Sequence, residues 1–386
     1  MQTKKNTKTK TRILMAAVLF LVVAGMLFLY MNKVFSMGDS DSNRQTFKAF
    51  YHEKKNTDDV IYIGTSAVNR FFINPKAYHD EGIASFTVAT MGMPMFFVPT
   101  LIDEIEKTQD PQLYIIELRW FLKEKDMITD AHIRRVTDNL KYSENKLTAI
   151  EDAFAFMEGS EGLLGDITDN ELEYLVPVIK YHGRLEQGMM NRGDWKLTSS
   201  RNLTKGYVLS YSTVKQVNQF PSRLSDDRAP MSAEAEQTLV DLLDYCDSRK
   251  DEKKFLFVLS PYSVKKGQMP VFNTAIDMVE ERGYPVINFN TEEMYEELDV
   301  DWDKDFYNSK HFNYLGAEKY TDWMTSYLKE HYNLKDHRGD PRYESWETSY
   351  KIYKNYVEDG IAVIGHKDKI GGEVTIIYDK DWENNK

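Results

Sequence analysis

The sequence predicts an α/β domain with a parallel sheet, carried on one membrane-spanning helix at the amino terminus. Two patterns indicate the domain: apolar runs that do not alternate with polar residues, as expected of strands covered on both faces, and helical segments between those runs. The third observation is an uncharged apolar run of 19 residues over 13–31. As a helix this run would extend about 28 Å, close to the hydrocarbon thickness of one bilayer.

The flanks of the apolar run predict its orientation. Five basic residues precede it, and no acidic residue occurs before Asp39. This flank predicts a cytoplasmic tail over 1–12, a single-pass anchor over 13–32 and an exterior position for everything that follows. A cleaved signal peptide is the alternative, but it requires a shorter apolar region and a small-residue cleavage site after it. Because the sequence has neither, we expect an uncleaved anchor, followed by a stalk and first helix over 33–57.

Composition excludes several classes of function. The net charge is −12 although residues 1–35 carry six basic residues and no acidic one. The predicted exterior part is therefore strongly acidic, which argues against nucleic acid as a partner. Cys246 is the single cysteine, so no intramolecular disulfide is possible. The histidines show no metal-ligand spacing and no glycine-rich nucleotide loop is present, so we predict neither a metal nor a cofactor.

The predicted strands and helices alternate along the chain. Strands are predicted at 59–64, 84–90, 112–118, 254–262 and 285–289. A helix follows the second strand, another covers about 269–283, and a last one starts near Asn313. Alternation of this kind with buried strands predicts a parallel sheet with helical crossovers.

Two regions depart from this alternation. Residues 121–253 contain predicted helices at about 146–158, 170–180 and 232–248, and we interpret them as an insertion over one end of the sheet. The main domain would then cover 58–335. The remainder, 336–386, is predicted to form a helix and a hairpin, with strands IAVIG (361–365) and EVTIIY (373–378) around the glycine pair at 371–372.

Two separate segments carry the candidate chemistry. DVIYIGTSAVNRFF, residues 59–72, ends the first strand on a small-residue turn that contains Ser66. DFYNSKHFNYLGAEKYT, residues 305–321, places His311 after the last strand and just before a helix. The carboxyl ends of parallel strands face one crevice, so these two side chains are expected to meet there. Taken singly, each has an ordinary alternative, a turn serine and a solvated loop histidine.

These residues resemble a known family. IGTSAVNR resembles the first block of SGNH hydrolases, the GDSL-like serine esterases and acyltransferases, and the segment ending in His311 resembles their last block, Asp-x-x-His. The membrane-anchored DltD-like branch is a closer likeness, because it shares the single anchor and an arginine four residues after the nucleophile, here Arg70. The resemblance covers about 55–120 and 250–330. It implies a three-layer α/β/α sandwich of the SGNH type.

The resemblance also assigns the oxyanion hole. It implies that the backbone N–H groups of Ser66 and Gly92 are donors to the developing oxyanion. The asparagine of the third family block has no counterpart, because the third strand runs into Glu117 and Arg119. Arg119 is therefore a candidate for a cationic third donor. Arg70 is a candidate either for contact with a substrate anion or for stabilising the fold.

The last block departs from the family pattern. Asn308 stands three residues before His311, where the family has aspartate, and Asp305 lies six residues before it. Either Asn308 orients the imidazole as a neutral acceptor or the loop bends so that Asp305 does so. A neutral partner stabilises the imidazolium less, so we favour Asp305 slightly if the enzyme is fast and Asn308 if it is slow.

The resemblance implies a function in a bacterial cell envelope. The expected activity is transfer of an O-acyl group, acetyl or D-alanyl, to a cell-wall or secreted polysaccharide or a teichoic acid through an acyl-enzyme on Ser66. The expected partner is a membrane-bound O-acyltransferase that moves the acyl group across the bilayer. Two alternatives stay open: an esterase that deacylates such polymers, and a non-catalytic scaffold or polymer-binding subunit.

Overall fold

A computed structural model describes residues 2–35, 42–121, 127–158, 170–190, 195, 201–210, 224–262, 264–265, 267–364 and 373–374. The chain divides into two compact units. The anchor unit consists of residues 1–41 and 168–199, and the sheet unit consists of residues 42–167 and 200–386.

The described elements are named here in chain order. The α-helices are α1 (Gln2–Phe35), α2 (Ser42–Phe50), α3 (Val68–Phe71), α4 (Asn74–Glu81), α5 (Val98–Glu106), α6 (Asp130–Thr137), α7 (Glu144–Met157), α8 (Leu172–Leu175), α9 (Pro177–Tyr181), α10 (Gly183–Glu186), α11 (Ala233–Arg249), α12 (Gln268–Glu281), α13 (Glu292–Glu297), α14 (Tyr314–His331) and α15 (Glu344–Ile364). The strands are β1 (Val60–Gly64), β2 (Ser85–Ala89), β3 (Leu113–Glu117), β4 (Leu209–Ser210), β5 (Lys254–Leu259), β6 (Val286–Asn288), β7 (Phe306–Asn308), β8 (His311–Phe312) and β9 (Glu373–Val374).

The sheet unit is built on a five-stranded sheet with the order β2-β1-β3-β5-β6. All its neighbouring strands are parallel, and every residue of β1, β2 and β3 is buried. The prediction of an α/β domain with a central parallel sheet is therefore confirmed. The strand order reverses at β1, because β2 lies on one side of it and β3 on the other. Ligands of open α/β sheets bind beyond the carboxyl ends of the strands at such a reversal.

The long apolar helix α1 belongs to the anchor unit. Its stretch Lys10–Phe35 has a mean hydropathy of 2.7 in its most apolar part and is long and apolar enough to cross a membrane. The short helices α8, α9 and α10 belong to the same unit.

Three regions differ from the predicted boundaries. The first helix predicted within 33–57 is present as α2, but it belongs to the sheet unit, where its Phe50 packs edge-on against Phe86 of β2. The predicted insertion is not one block, because residues 168–199 join the anchor unit whereas Leu209 lies in the sheet unit's core.

The predicted carboxyl-terminal hairpin also differs. Residues 361–364, proposed as its first strand, continue α15. In the proposed second strand, β9 pairs antiparallel with β4, and residues 365–372 and 375–386 lie outside the described part of the chain.

Candidate active site

Ser66 lies in the turn that joins β1 to α3, at the carboxyl end of the sheet. The turn is closed by a hydrogen bond from Val68 N–H to Thr65 O of 3.0 Å. The last strand residue must be Gly64, since a Cβ there would lie 2.5 Å from a methyl of Val68 and 2.7 Å from Cβ of Glu117. This close approach of strand, helix and neighbouring strand holds Ser66 at the sheet edge, where its exposed fraction is 9 %.

His311 reaches Ser66 from a small antiparallel hairpin. In that hairpin β7 pairs with β8, and Asn308 lies opposite His311. The neighbouring Phe312 is buried and packs against Phe71 of α3, with ring centroids 4.6 Å apart. The hairpin is thereby held against the helix that follows Ser66, and His311 Nε2 lies 2.9 Å from Ser66 Oγ.

The other imidazole nitrogen contacts Asn308. His311 Nδ1 is 2.9 Å from Asn308 Oδ1, and the same oxygen accepts a 2.8 Å hydrogen bond from the N–H of Lys310. The backbone donor identifies that atom as the amide oxygen, so Nδ1 carries the proton and Nε2 is the acceptor. This tautomer accepts a hydrogen bond from Ser66 O–H, as a general base requires.

Asp305 does not contact His311, and the slight preference for it was wrong. Its carboxylate accepts hydrogen bonds from Asp301 N–H (2.7 Å) and from Lys319 Nζ (2.9 Å). The physical reason is position. Asp305 lies in the bend before β7, where Asp301 and Lys319 hold its carboxylate, whereas Asn308 lies in β7 opposite His311.

The surroundings of His311 favour its neutral form. Burial lowers the pKa of His311 well below its ordinary value, and the positive charges of Arg70, Arg119 and Lys310 lower it further. The imidazole is therefore uncharged near neutral pH. It can accept a proton, but the resulting imidazolium would be poorly stabilised.

Arg70 contacts the nucleophile turn itself. Its guanidinium donates from Nη1 to the carbonyl oxygen of Ser66 (3.2 Å) and to Asn69 Oδ1 (3.3 Å). The residue is 3 % exposed. Of its two predicted roles, the fold-stabilising contact is thus present.

Arg119 leaves β3 and lies beside the histidine. Its Nη2 donates to the carbonyl oxygen of Lys310 (3.0 Å), and its guanidinium carbon lies 4.0 Å from the ring centroid of Tyr262. Its Nη1 is buried and has no hydrogen-bond partner among the described residues. Burial lowers the pKa of Arg119. This edge of the site therefore has a desolvated cation whose Nη1 can donate a further hydrogen bond.

Glu117 holds the backbone from which Arg119 projects. Its Oε1 accepts hydrogen bonds from the N–H groups of Arg119 and Ser260, both 3.2 Å, and its Oε2 contacts the Ser260 hydroxyl. Burial raises the pKa of Glu117. Glu117 thus contacts Arg119 through the backbone, and it connects the carboxyl ends of β3 and β5.

Gly92 lies in the turn after β2, which pairs with β1. The register places Gly64 opposite Ala89, so Gly92 and Ser66 follow adjacent strand ends. Gly92 has φ +69°, and a Cβ there would lie 2.5 Å from the ring of His132. Both features require glycine. Because glycine has no side chain, the backbone at this position is not shielded by a Cβ.

Sequence reasoning missed two contributors to this region. Tyr262 and Ser260 follow β5, and they contact Arg119 and Glu117 respectively. The available signal was position, since both residues lie at the carboxyl end of the strand predicted over 254–262. No motif distinguishes them from turn residues.

Comparison with protein-family models and with curated protein sequences found no match. The resemblance to SGNH hydrolases therefore stays a prediction that rests on the residues quoted for it. Among the residues that the structure describes, no group of three or more His, Cys, Asp or Glu side chains could hold a metal ion.

Proposed function

We propose that this chain is a membrane-anchored, extracytoplasmic serine enzyme of the SGNH type that transfers an O-acyl group to an envelope polymer. The observation that carries the proposal is the series of contacts from Ser66 Oγ to His311 Nε2 (2.9 Å) and from His311 Nδ1 to Asn308 Oδ1 (2.9 Å). A nucleophile, a base and an orienting acceptor within hydrogen-bond reach are the parts that acyl transfer requires. The proposed architecture is a three-layer α/β/α sandwich.

In the first half of the reaction, Ser66 Oγ attacks the ester carbonyl while its proton moves to His311 Nε2. The tetrahedral oxyanion accepts hydrogen bonds from the N–H groups of Ser66 and Gly92 and from Arg119 Nη1. The C–O bond to the alcohol then breaks, and His311 returns the proton to the leaving oxygen. The product is an ester between the acyl group and Ser66.

In the second half, a hydroxyl group attacks the acyl-enzyme. His311 Nε2 removes its proton, the oxyanion forms again, and cleavage of the bond to Ser66 Oγ releases the new ester. The proton passes from His311 to Ser66, which restores the enzyme. A sugar or polyol hydroxyl as acceptor makes the enzyme a transferase, and water makes it an esterase.

The electrostatics of His311 favour transfer. Three cations disfavour the imidazolium, and Asn308 offers it no negative charge. Such a base activates bulk water poorly, so turnover depends on an acceptor held in place. An acetyl or D-alanyl group and a polysaccharide or teichoic acid acceptor are what the family resemblance suggests, with a membrane-bound O-acyltransferase as the partner that supplies the acyl group.

Two other functions share parts of this site. The esterase uses the same residues and differs in its acceptor alone. The scaffold is favoured by one observation, the amide of Asn308 in place of a carboxylate, because loss of that charge in a serine triad costs about 10⁴ in turnover.

The test uses the full chain in detergent with a fluorophosphonate probe, 4-nitrophenyl acetate and glycerol as a model acceptor. We expect wild type to be labelled, Ser66→Ala to be unlabelled, and the exposed-helix control Ser326→Ala to match wild type. Release of 4-nitrophenol should rise with glycerol and yield acetylglycerol. Release without acetylglycerol would identify an esterase. A wild type that neither labels nor turns over would contradict enzymatic function and favour the scaffold.

A further inference from the structure

The short helices of the anchor unit pack on the last turns of α1. The N–H of Val178 in α9 donates to Asn32 Oδ1 (2.9 Å), and Arg184 Nη1 in α10 donates to the carbonyl oxygen of Phe35 (3.1 Å). The second contact satisfies a carbonyl that has no partner within the helix and places a cation at its negative end. Residues 170–190 are thereby fixed to the carboxyl end of α1.

An aromatic pair adds to this attachment. Tyr30 O–H donates to the carbonyl oxygen of Trp195 (2.6 Å), and the Trp195 ring lies edge-on to Phe35, with centroids 6.4 Å apart. Phe35 is buried by these contacts, with 5 % exposed. We call residues 170–190 together with Trp195 the juxtamembrane segment.

The attachment point determines how far this segment lies from the hydrocarbon. The apolar run ends at Met31, and the contacts are made by Tyr30, Asn32 and Phe35. Phe35 is four residues beyond Met31, about 6 Å along a helix. The polar layer on each side of a bilayer is about 5–8 Å thick, since the core is about 30 Å and the whole about 40–45 Å. If α1 spans the membrane, the juxtamembrane segment lies within this layer.

The segment exposes large apolar side chains. They are Leu172 (56 % exposed), Ile179 (40 %), Leu185 (53 %), Met189 (60 %) and Trp195 (38 %). Single exposed apolar residues are common on proteins, so the significance of these five depends on their position beside the carboxyl end of α1, where an apolar phase is close.

We propose that the juxtamembrane segment is a membrane-interface element that inserts these apolar side chains into the headgroup and acyl boundary of the lipid leaflet around the carboxyl end of α1. Lipid is favoured over a protein partner because the segment is attached within one turn of the predicted end of the hydrocarbon. The amphipathic rings of Tyr30 and Trp195 at that level are also those that interfaces enrich. The proposal does not depend on the chemistry of Ser66.

The segment adds two covalent connections to the sheet unit, so that the membrane-bound part of the chain has three. The chain passes between the two units at 41–42, 167–168 and 199–200. A plain amino-terminal anchor would provide the first connection alone. In this proposal, part of the predicted insertion attaches the chain to the membrane a second time, in addition to α1.

The experiment measures depth in lipid with the full chain. Spin labels are attached to single cysteines in a Cys246→Ala background, reconstituted in POPC/POPG vesicles: Leu172→Cys and Leu185→Cys in the segment, Leu21→Cys in α1, and Glu236→Cys on an exposed face of α11. We expect the ratio of oxygen to nickel-chelate accessibility at both segment positions to exceed that at Glu236→Cys severalfold and to stay below that at Leu21→Cys. The polar control Lys180→Cys tests whether one face of the segment is immersed.

Three outcomes would overturn the proposal. Segment labels with the ratio of Glu236→Cys would place the segment in water. Low accessibility to both reagents would mean that protein covers the surface. A Leu21→Cys label that behaves as water-exposed would show that α1 does not span the bilayer. None of these results depends on whether Ser66 reacts with a fluorophosphonate.

Discussion

The two ends of the central sheet each hold a buried or half-buried histidine with a polar partner, and they differ in what meets its second nitrogen. At the carboxyl end, His311 contacts the amide of Asn308 and faces Ser66 Oγ at 2.9 Å. At the amino end, His337 Nε2 contacts Asp59 Oδ2 at 2.6 Å, and its Nδ1 is buried without a hydrogen-bond partner among the described residues. The histidine with a carboxylate lacks the serine, and the histidine with the serine lacks the carboxylate.

This difference shows that a histidine–carboxylate pair does not by itself indicate catalysis. Asp59 precedes β1 and Ser66 follows it, so the two histidines lie at opposite ends of β1. His337 stacks on Tyr343 with ring centroids 3.9 Å apart and is 6 % exposed. No substrate reaches such a ring, and its contact with Asp59 stabilises the fold. The carboxyl end is where strand ends leave room for a ligand.

The largest expected effect is a separation of activity from stability between the two histidines. His311→Gln should lower turnover of 4-nitrophenyl acetate by about 10⁴-fold or more, because the serine loses its base. His337→Gln should leave turnover within about twofold but lower the free energy of unfolding by about 1–3 kcal/mol, since it leaves the half-buried Asp59 without its partner. Steady-state kinetics and thermal melts of the full chain measure both. Equal losses of turnover in the two variants would contradict the comparison.

The next effect comes from giving His311 the carboxylate that His337 has. Asn308→Asp should raise turnover by up to about 10⁴-fold, the size of the loss when a triad carboxylate becomes an amide. The carboxylate would stabilise the imidazolium that forms in the transition state. Asn333→Asp, which adds the same charge at an exposed position, is the control. Unchanged or lower turnover in Asn308→Asp alone would argue for a scaffold.

The same variant makes a prediction about pH. A base must be unprotonated to act, and the pKa of His311 is held well below its ordinary value of 6.5. Wild-type kcat/KM should therefore stay level as pH falls through 6.5 and drop at a more acidic pH. A carboxylate at 308 raises the pKa, so the acidic drop in Asn308→Asp should move to higher pH. A pH–rate profile that drops at the same pH in both proteins would contradict this account.

Much of this fold was predictable because its strands are buried on both faces. Continuous apolar runs identify such strands with little knowledge of the strands beside them. The bounds of all five strands were predicted to within a few residues. The excursion of 168–199 to the anchor unit was not predictable. Its attachment depends on Asn32 and Arg184, two polar side chains that no periodic pattern distinguishes from surface residues.

The site was partly predictable for a related reason. Ser66 and His311 follow strand ends, so the parallel sheet alone brings them to one edge. The choice between Asp305 and Asn308 depended on which residue lies opposite His311 in a two-stranded hairpin. That was hidden because β7 and β8 are three and two residues long. Tyr262 was missed because stacking on a cation has no sequence pattern.

A smaller loss of activity is expected from substitution of Arg119. This cation, like His311, distinguishes the carboxyl end of the sheet from the amino end. Arg119→Met should lower kcat by about 10²–10³-fold, as removal of one oxyanion donor does. KM for the neutral ester should change little, because Nη1 would act on charge that develops in the transition state. Arg119→Lys should recover part of the loss, and the exposed Arg228→Met should match wild type. A change in KM alone would assign Arg119 to substrate binding instead.

The smallest effect concerns stability at the amino end, beside the structural histidine. Asp58 is 1 % exposed and neither carboxylate oxygen has a hydrogen-bond partner among the described residues. Burial raises its pKa well above the ordinary value, and the charge of Glu53 raises it further. A carboxyl whose pKa is higher in the folded state costs stability as pH rises from the unfolded pKa to the folded one.

Asp58→Asn removes that cost, so it should raise the free energy of unfolding by about 1–2 kcal/mol at neutral pH, or Tm by about 2–6 °C. The gain should shrink as pH falls toward the ordinary Asp pKa of 3.8 and vanish below it, where the carboxyl is protonated in both states. Asp59→Asn is the matched control, and it should lower Tm because an amide oxygen is a weaker acceptor for His337 than the carboxylate. Melts at pH 4.5 and 7.5 measure both variants. A gain in Asp58→Asn that is larger at pH 4.5 would reverse the sign of this argument, and the amino end would then hold a charged Asp58.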